Sequence, residues 1–188
     1  MNIQSRLPTT PDEFLRWNEG REGKREFVNG KVVEMMINVT RNHARIATNT
    51  LVALARRLDL ARFDVGSADF GVRTPDGIRY PDVYVDHKTD ASRGDDLAAT
   101  EPVMLVEILS SSSYGRDFVE KLADYSKVAS LRHYLILSQD DPRAWLWSRG
   151  DSSEWTGPKE IVGADEKVEL QALAIALDMS ELFAGIGH

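Results

Sequence analysis

A chain of 188 residues, 42% hydrophobic and 28% charged, is long enough to bury one real core and leaves little room for a second domain. With no cysteine it excludes a disulfide framework and thiolate metal sites, so any metal would fall to carboxylates, imidazoles or carbonyls. Its net charge of −7 argues against nucleic-acid binding over the whole surface, although Arg41, Arg45, Arg56, Arg57, Arg62, Arg73 and Arg79 crowd one third of the chain and allow a local basic groove.

No apolar run reaches the roughly 18 residues of a membrane span, and Met1 to Thr10 lacks the basic-then-apolar layout of a signal peptide. The expectation is a cytoplasmic protein without membrane contact. Thr10 as N-cap, with Asp12 and Glu13 in the first turn, predicts a short helix from Pro11 to Glu19. Extended runs at Arg25 to Val28 and Lys31 to Met36 flank Asn29-Gly30, a strong hairpin signal.

From Thr40 to Leu60 the spacing turns helical, with Ala47, Leu51, Leu54 and Leu58 on one stripe. His43 lies one turn before Ala47 and is read either as a core-edge histidine or as a site-lining one. Phe63 to Val72 predicts a strand interrupted by Gly66 and Gly71, and Pro75-Asp76-Gly77 a turn. Ile78 to Asp86 predicts another strand, distorted by Pro81 just where Asp82 leaves it. His87 to Glu101 is polar and predicts a surface loop.

Val103 to Leu109 is the anomaly, because this apolar run carries Glu107 in its middle. A buried carboxylate costs several kcal/mol unless something compensates it, with about 2 to 7 kcal/mol for even an unpaired neutral polar group. Asp82, on a neighbouring strand, could join it at one end of the sheet, and two such carboxylates call for a divalent cation. Hard oxygen ligands favour magnesium or manganese. On the next helix Asp117, Lys121 and either Asp124 or Tyr125 form one stripe, and Lys121 either reaches back to Glu107 or makes a surface pair with Asp117. A purely structural buried ion pair remains the other reading of Glu107.

Arg132 to Leu137 and Arg143 to Trp147 predict two further strands, Trp155 to Gly163 an irregular stretch, and Lys167 to Leu170 a short strand. Asp178-Met179-Ser180-Glu181 has the form of a capping box opening a last helical turn. Trp145, Trp147 and Trp155 are read as core or as a contact patch. Without a repeat or linker, residues 1–188 predict one α/β domain with a mixed sheet.

Arg79-Tyr80-Pro81-Asp82-Val83, Leu105-Val106-Glu107-Ile108-Leu109-Ser110, and Asp117 with Lys121 and Tyr125 together resemble the Uma family of restriction-endonuclease-like proteins in the PD-(D/E)XK nuclease superfamily. The stretches Arg25 to Met35, His43 to Ile46 and Leu177 to Phe183 resemble it too, so the likeness runs over about residues 10–184. It implies a single nuclease-like α/β domain with a central mixed β-sheet flanked by helices. It further implies Asp82 and Glu107 as ligands of Mg2+, with Mn2+ a possible substitute. Lys121 would stand in for the lysine usual two positions after the glutamate, where this chain has Leu109. Glu26 or Glu34 would supply a further acid.

The implied activity is metal-dependent endonucleolytic hydrolysis of DNA, carried out by a homodimer. The chain departs from the family pattern around the helix-to-strand connection, at Ser111, Ser130 to Leu135 and Leu137-Ser138. The other readings are an inactive nuclease-fold module that binds nucleic acid or a protein, and a subunit whose partner does the chemistry.

Overall fold

The computed structural model describes residues 6–35, 38–109, 116–150 and 153–187, with residues 116–120 described by backbone alone. The opening helix α1 (Pro11–Asn18) is capped by Thr10, whose hydroxyl accepts from the Glu13 N–H. Strands β1 (Arg25–Val28) and β2 (Lys31–Glu34) form the expected hairpin. Both connecting residues take positive φ, 49° at Asn29 and 78° at Gly30, the conformation that matches a two-residue turn to strand twist.

Helix α2 (Arg41–Arg57) is capped by Thr40. Its buried residues are Ile46, Thr50, Ala53 and Leu54, so the inward stripe is rotated from the expected one, and Ala47 and Leu51 sit at its edge. Thr50 is tolerated inside because its hydroxyl donates to the Ile46 carbonyl.

The expected strand over Phe63 to Val72 is two strands, β3 (Phe63–Ser67) and β4 (Gly71–Thr74), which belong to different sheets. The same holds for Ile78 to Asp86. It divides into β5 (Gly77–Arg79) and β6 (Val83–His87), and Tyr80-Pro81-Asp82 is the corner between sheets. Proline lacks the N–H a ladder needs, so the chain changes sheet where it cannot pair. Gly77 is required at the start of β5, because a Cβ there would lie 1.8 Å from the Phe27 carbonyl oxygen on β1.

The polar stretch before Pro102 holds one short strand that its composition hides, β7 (Ala98–Ala99), parallel to β4. Then come β8 (Pro102–Leu109), α3 (Arg116–Tyr125), β9 (His133–Ser138) and β10 (Arg143–Arg149). The stretch expected to be irregular is the eight-residue strand β11 (Trp155–Val162). A final ribbon pairs β12 (Lys167–Leu170) with β13 (Ile175–Asp178), which the sequence reading missed, and leads into α4 (Met179–Leu182). Asp178 precedes α4 but makes no side-chain cap; its carboxylate pairs with Lys167 and Arg57 instead.

The strands build a six-stranded sheet ordered β11-β10-β9-β8-β6-β3, a five-stranded sheet ordered β2-β1-β5-β4-β7, and the β12-β13 ribbon. Parallel pairing of β8 with β9 among antiparallel neighbours makes the larger sheet mixed. Residues on one of its faces, Val83, Val85, Met104, Val106, Leu135 and Leu137, pack with α2, α4 and the ribbon. Tyr84, Leu105, Tyr134, Ile136 and Trp147 on the other face pack with Tyr125 of α3. Trp147 is buried, and Trp145 and Trp155 pack against the same cluster, so the three tryptophans belong to the core. Helix α1 closes the smaller sheet through Phe14 against Phe27 and Ile78. Among the described residues no helix is long and apolar enough to cross a membrane.

Candidate active site

Strands β6 and β8 run antiparallel with Val83 opposite Val106. One step further along the ladder, Asp82 comes alongside Glu107 and Ile108. Its Oδ2 accepts the Ile108 N–H at 2.8 Å, which fixes the carboxylate at the sheet end. Its Oδ1 lies 3.1 Å from Nε2 of His43, from the first turn of α2. The corner at Pro81 and the start of α2 thus position one carboxylate from two sides.

Glu107 is 3% exposed. Its Oε2 accepts from Lys121 Nζ at 2.8 Å and its Oε1 from the Tyr125 hydroxyl at 2.9 Å. Lys121 and Tyr125 are four residues apart, on one face of α3, so a single helical stripe supplies both donors. Burial pushes the Glu107 carboxyl up to about 7, with Asp82 adding to the rise and Lys121 opposing it. Burial by itself would lower the Lys121 ammonium, but Glu107, Glu26 and Asp82 outweigh it and hold the group above its ordinary value. Lys121 is therefore a cation at neutral pH, a donor rather than a base. Burial and the neighbouring carboxylates likewise hold the Tyr125 hydroxyl well above its usual range, so it donates to Glu107 as a neutral phenol.

Glu26, 1% exposed on β1, lines the same pocket. Its Oε2 accepts from Arg79 Nη1 at 2.7 Å and its Oε1 from the Tyr80 N–H at 3.1 Å. Arg79 also bonds Asp124 on α3. This buried Glu26-Arg79-Asp124 chain ties β1, β5 and α3 together. The sequence reading counted Arg79 only toward a basic groove and the family resemblance, and Asp124 only as an alternative to Tyr125 on the helical stripe; it did not foresee that the buried acid on β1 would take Arg79 as its cation.

The pocket encloses about 350 Å3, between Lys24, Arg25 and Tyr80 on one side and Thr40, His43 and Gln139 on the other, with Asp82, Glu107 and Lys121 in its wall. Glu34 is not in it. Its side chain is 84% exposed on the outer strand β2 and lies 3.9 Å from Arg25. Asp117 lies on α3, but its side chain is outside the described residues, as are Ser110 to Gly115 with Ser111 among them.

Among the described residues no three His, Asp or Glu side chains are gathered so as to hold an ion on their own. Asp82 and Glu107 still suit magnesium, which commonly takes one or two carboxylates and completes its shell with water and phosphate oxygens. The electrostatics agree with that fit. Two carboxylates share one ammonium, and Glu107 is raised partly by Asp82, so a further cation beside them would be favoured. Arg79 does not fill that need, since Glu26 and Asp124 already engage it.

Three comparisons bear on this arrangement. The model of the family Uma2, described as "Putative restriction endonuclease", matches residues 11–180. Two uncharacterised proteins of Synechocystis sp. are similar along most of their length. One is 24% identical over 181 residues, covering 94% of this chain and 92% of the relative. The other is 25% identical over 172 residues, covering 88% and 94%. A crystal structure from Anabaena variabilis, described as "a putative nuclease belonging to DUF820", superposes with a TM-score of 0.70 at 19% identity, over 94% of this chain and 98% of that one. At that identity the likeness is one of fold, a restriction-endonuclease-like α/β architecture. The family match spans every element from α1 to the first residues of α4, and the chain belongs to the Uma2 family of restriction-endonuclease-like proteins.

Proposed function

We propose that this chain is a divalent-metal-dependent endonuclease that hydrolyses DNA phosphodiester bonds, with Mg2+ as the working ion and Mn2+ able to replace it. The observation that carries the reading is the meeting of Asp82, Glu107 and Lys121 in one pocket at the carboxyl end of β8. Asp82 and Glu107 would hold the ion. When bound, it supplies Lewis acidity to a phosphate oxygen and acidifies a water.

The chain's own groups do the rest. Lys121, cationic and held against Glu107, offers N–H donors to the non-bridging phosphate oxygens as negative charge builds on them. Tyr125 keeps Glu107 in one rotamer, and the Ile108 N–H does the same for Asp82, so neither carboxylate has to reorganise during the reaction. His43, against Asp82 at the pocket wall, is placed to orient a water or a phosphate oxygen. A homodimer would bring one such pocket to each strand of a duplex.

Cleavage of plasmid and linear DNA with Mg2+, Mn2+ or EDTA tests the proposal. We expect Glu107→Gln and Asp82→Asn each to lose on the order of 100-fold in rate, the scale of roughly 3 kcal/mol of transition-state stabilisation. Absence of cleavage together with absence of metal binding would overturn it.

A second reading has its own support. All four oxygens of Asp82 and Glu107 already have a partner within the protein, as a closed structural network would require. A chain that binds DNA, but whose metal affinity is the same in wild type, Asp82→Asn and Glu107→Gln, would be such a binding module.

A further inference from the structure

A second cavity adjoins the candidate active site. It encloses about 310 Å3, against 350 Å3 for the pocket of Asp82 and Glu107, and the two share Lys24, Arg25, Ala68 and Tyr80 in their walls. Strand register explains how they meet. Phe27 lies opposite Ile78 and both pack against α1, so continuing that pairing by two residues puts Arg25 opposite Tyr80 on the same side. Glu26 and Arg79, one step away on the two strands, point to the other side and reach α3. The second cavity therefore lies on the α1 face of the smaller sheet, with Leu15 and Leu97 in its lining, and meets the first around the sheet end where Arg25 and Tyr80 stand.

Charge separates the two parts of this space. Lys24 and Arg25 belong to the shared wall, whereas the acids Glu19 and Asp69 line the second cavity alone. A phosphate is drawn to the shared wall and repelled from the far side, which suits a neutral group able to donate N–H bonds to a carboxylate. Arg25 is held in place, with its Nη1 3.5 Å from the Asn18 side-chain oxygen and its guanidinium 5.7 Å from the Trp17 ring centre. Arg21 sits over the same ring at 4.3 Å.

Tyr80 is the half-buried aromatic residue between the cavities. Two residues of chain span at most about 7 Å, so its Cα stands within that distance of the Asp82 Cα. Glu107 is 3% exposed, and the side chains of Lys121 and Asp82 are 12% and 20% exposed. A phosphate that reaches groups this deep brings its own nucleoside with it. The second cavity is the adjoining space, at the lower end of the roughly 300 to 1,000 Å3 of small-molecule sites, and is lined by an aromatic ring against which a base can stack.

We propose that the second cavity receives the nucleoside next to the scissile phosphate, with its base against Tyr80 and its phosphate at Lys24 and Arg25. A base enters only after leaving its stack, so the site takes an unpaired strand in preference to a closed duplex. This rests on the nuclease reading and names the form of DNA which that reading leaves open.

Fluorescence anisotropy of one labelled oligonucleotide, as a single strand and as its fully paired duplex, tests the proposal with Glu107→Gln in Mg2+ to prevent cleavage. The single strand should bind roughly tenfold more tightly or better, since unpairing and unstacking oppose the duplex. Tyr80→Leu keeps apolar bulk but removes the stacking face, and should weaken the single strand about tenfold while changing the duplex by less than about twofold. Ala68→Phe, on the turn between β3 and β4, narrows the shared wall and should do the same with an unchanged thermal melt, so the outcome does not hang on the folding of Tyr80→Leu alone. Equal affinity for the two forms of DNA, or a single-strand affinity that neither variant changes, would overturn the proposal and leave cleavage by the wild type untouched. Failure of the nuclease reading shows in a separate measurement, a wild type that neither cleaves DNA nor binds Mg2+, and would take this proposal with it.

Discussion

His133, on β9 but on the face away from α3, shows how far a single buried ring can make the fold sensitive to acid. It is 1% exposed, its Nε2 accepts the Ala172 N–H at 3.1 Å and its Nδ1 lies 3.0 Å from the Ser148 hydroxyl. A backbone N–H can only donate, so the ring is neutral with its proton on Nδ1. Burial lowers its pKa to about 4 from 6.5. A base depressed in the folded state contributes stability that is whole above 6.5 and lost as pH falls toward 4, about 3 kcal/mol across that window. Glu107 and Asp86 work in the other direction. Burial raises them to about 7 and 6, so each binds its proton more tightly when folded and favours folding as pH drops. The His133 share therefore has to be read by difference. On lowering the pH from 7.5 to 4.5, the urea midpoint of wild type should move toward lower urea relative to that of His133→Gln, by the equivalent of about 3 kcal/mol; the same shift in both proteins would mean that the ring is not the sensor. Of the residues that matter at this scale, Glu107 was legible because a carboxylate inside an apolar run is an energetic misfit. The bond from His43 to Asp82 was not, because 39 positions of sequence separate them and only the meeting of α2 with the Pro81 corner closes that gap.

At the scale of elements, α3 is fastened to the sheets by charge as well as by apolar packing. Asp124 and Tyr125 end the helix, and one reaches Arg79 while the other reaches Glu107. Replacing Arg79 by methionine would leave Glu26 and Asp124 buried without their cation, and a broken buried pair costs about 3 to 5 kcal/mol. Adding Glu26→Gln and Asp124→Asn to Arg79→Met should return a good part of that loss, because a well-packed neutral set replaces an ionic one at little cost. Denaturant unfolding of the single and triple variants measures both steps. A single variant as stable as wild type would show the triad to be worth nothing net. The elements most legible in sequence were those with local causes, such as Thr10 capping α1 and Asn29-Gly30 turning the first hairpin. Strand β11 was not, since six of its eight residues are exposed and Gly157-Pro158 breaks any alternation, so only its pairing with β10 along one edge makes it a strand. Strand β7 is two alanines held by β4, too short for any period to register. The divided strands β3/β4 and β5/β6 failed for a shared reason. Alternation continues through a corner, while sheet membership is decided by partners distant in sequence.

At the scale of the whole molecule, a net charge of −7 has to be reconciled with the polyanionic substrate proposed for the site. Acids and bases are not evenly spread about the candidate site. Lys24 and Arg25 line the pocket and Arg41 opens α2 beside Thr40 and His43, while Lys121 is committed to Glu107. Two or three phosphates are then all that side-chain cations near the pocket can neutralise, far fewer than the six to ten of a protein that grips a duplex by charge. Counterion release gives a slope of log affinity against log salt of about −0.9 for each phosphate neutralised, so we expect roughly −2 to −3 here. Between 50 and 200 mM salt that is a loss of about 10-fold to 100-fold, against 1000-fold or more for a wide basic face. On the proposed reading a divalent ion would then matter twice, for chemistry and for masking Asp82 and Glu107 from the phosphates. Fluorescence anisotropy of labelled duplex, with Mg2+ or with EDTA and Glu107→Gln to prevent cleavage, measures both quantities. A slope of −6 or steeper would mean that DNA lies across a different surface and that the pocket at the end of β8 is not where the duplex is held, whereas a shallow slope that Lys24→Gln reduces by about one would tie that pocket to the phosphate backbone.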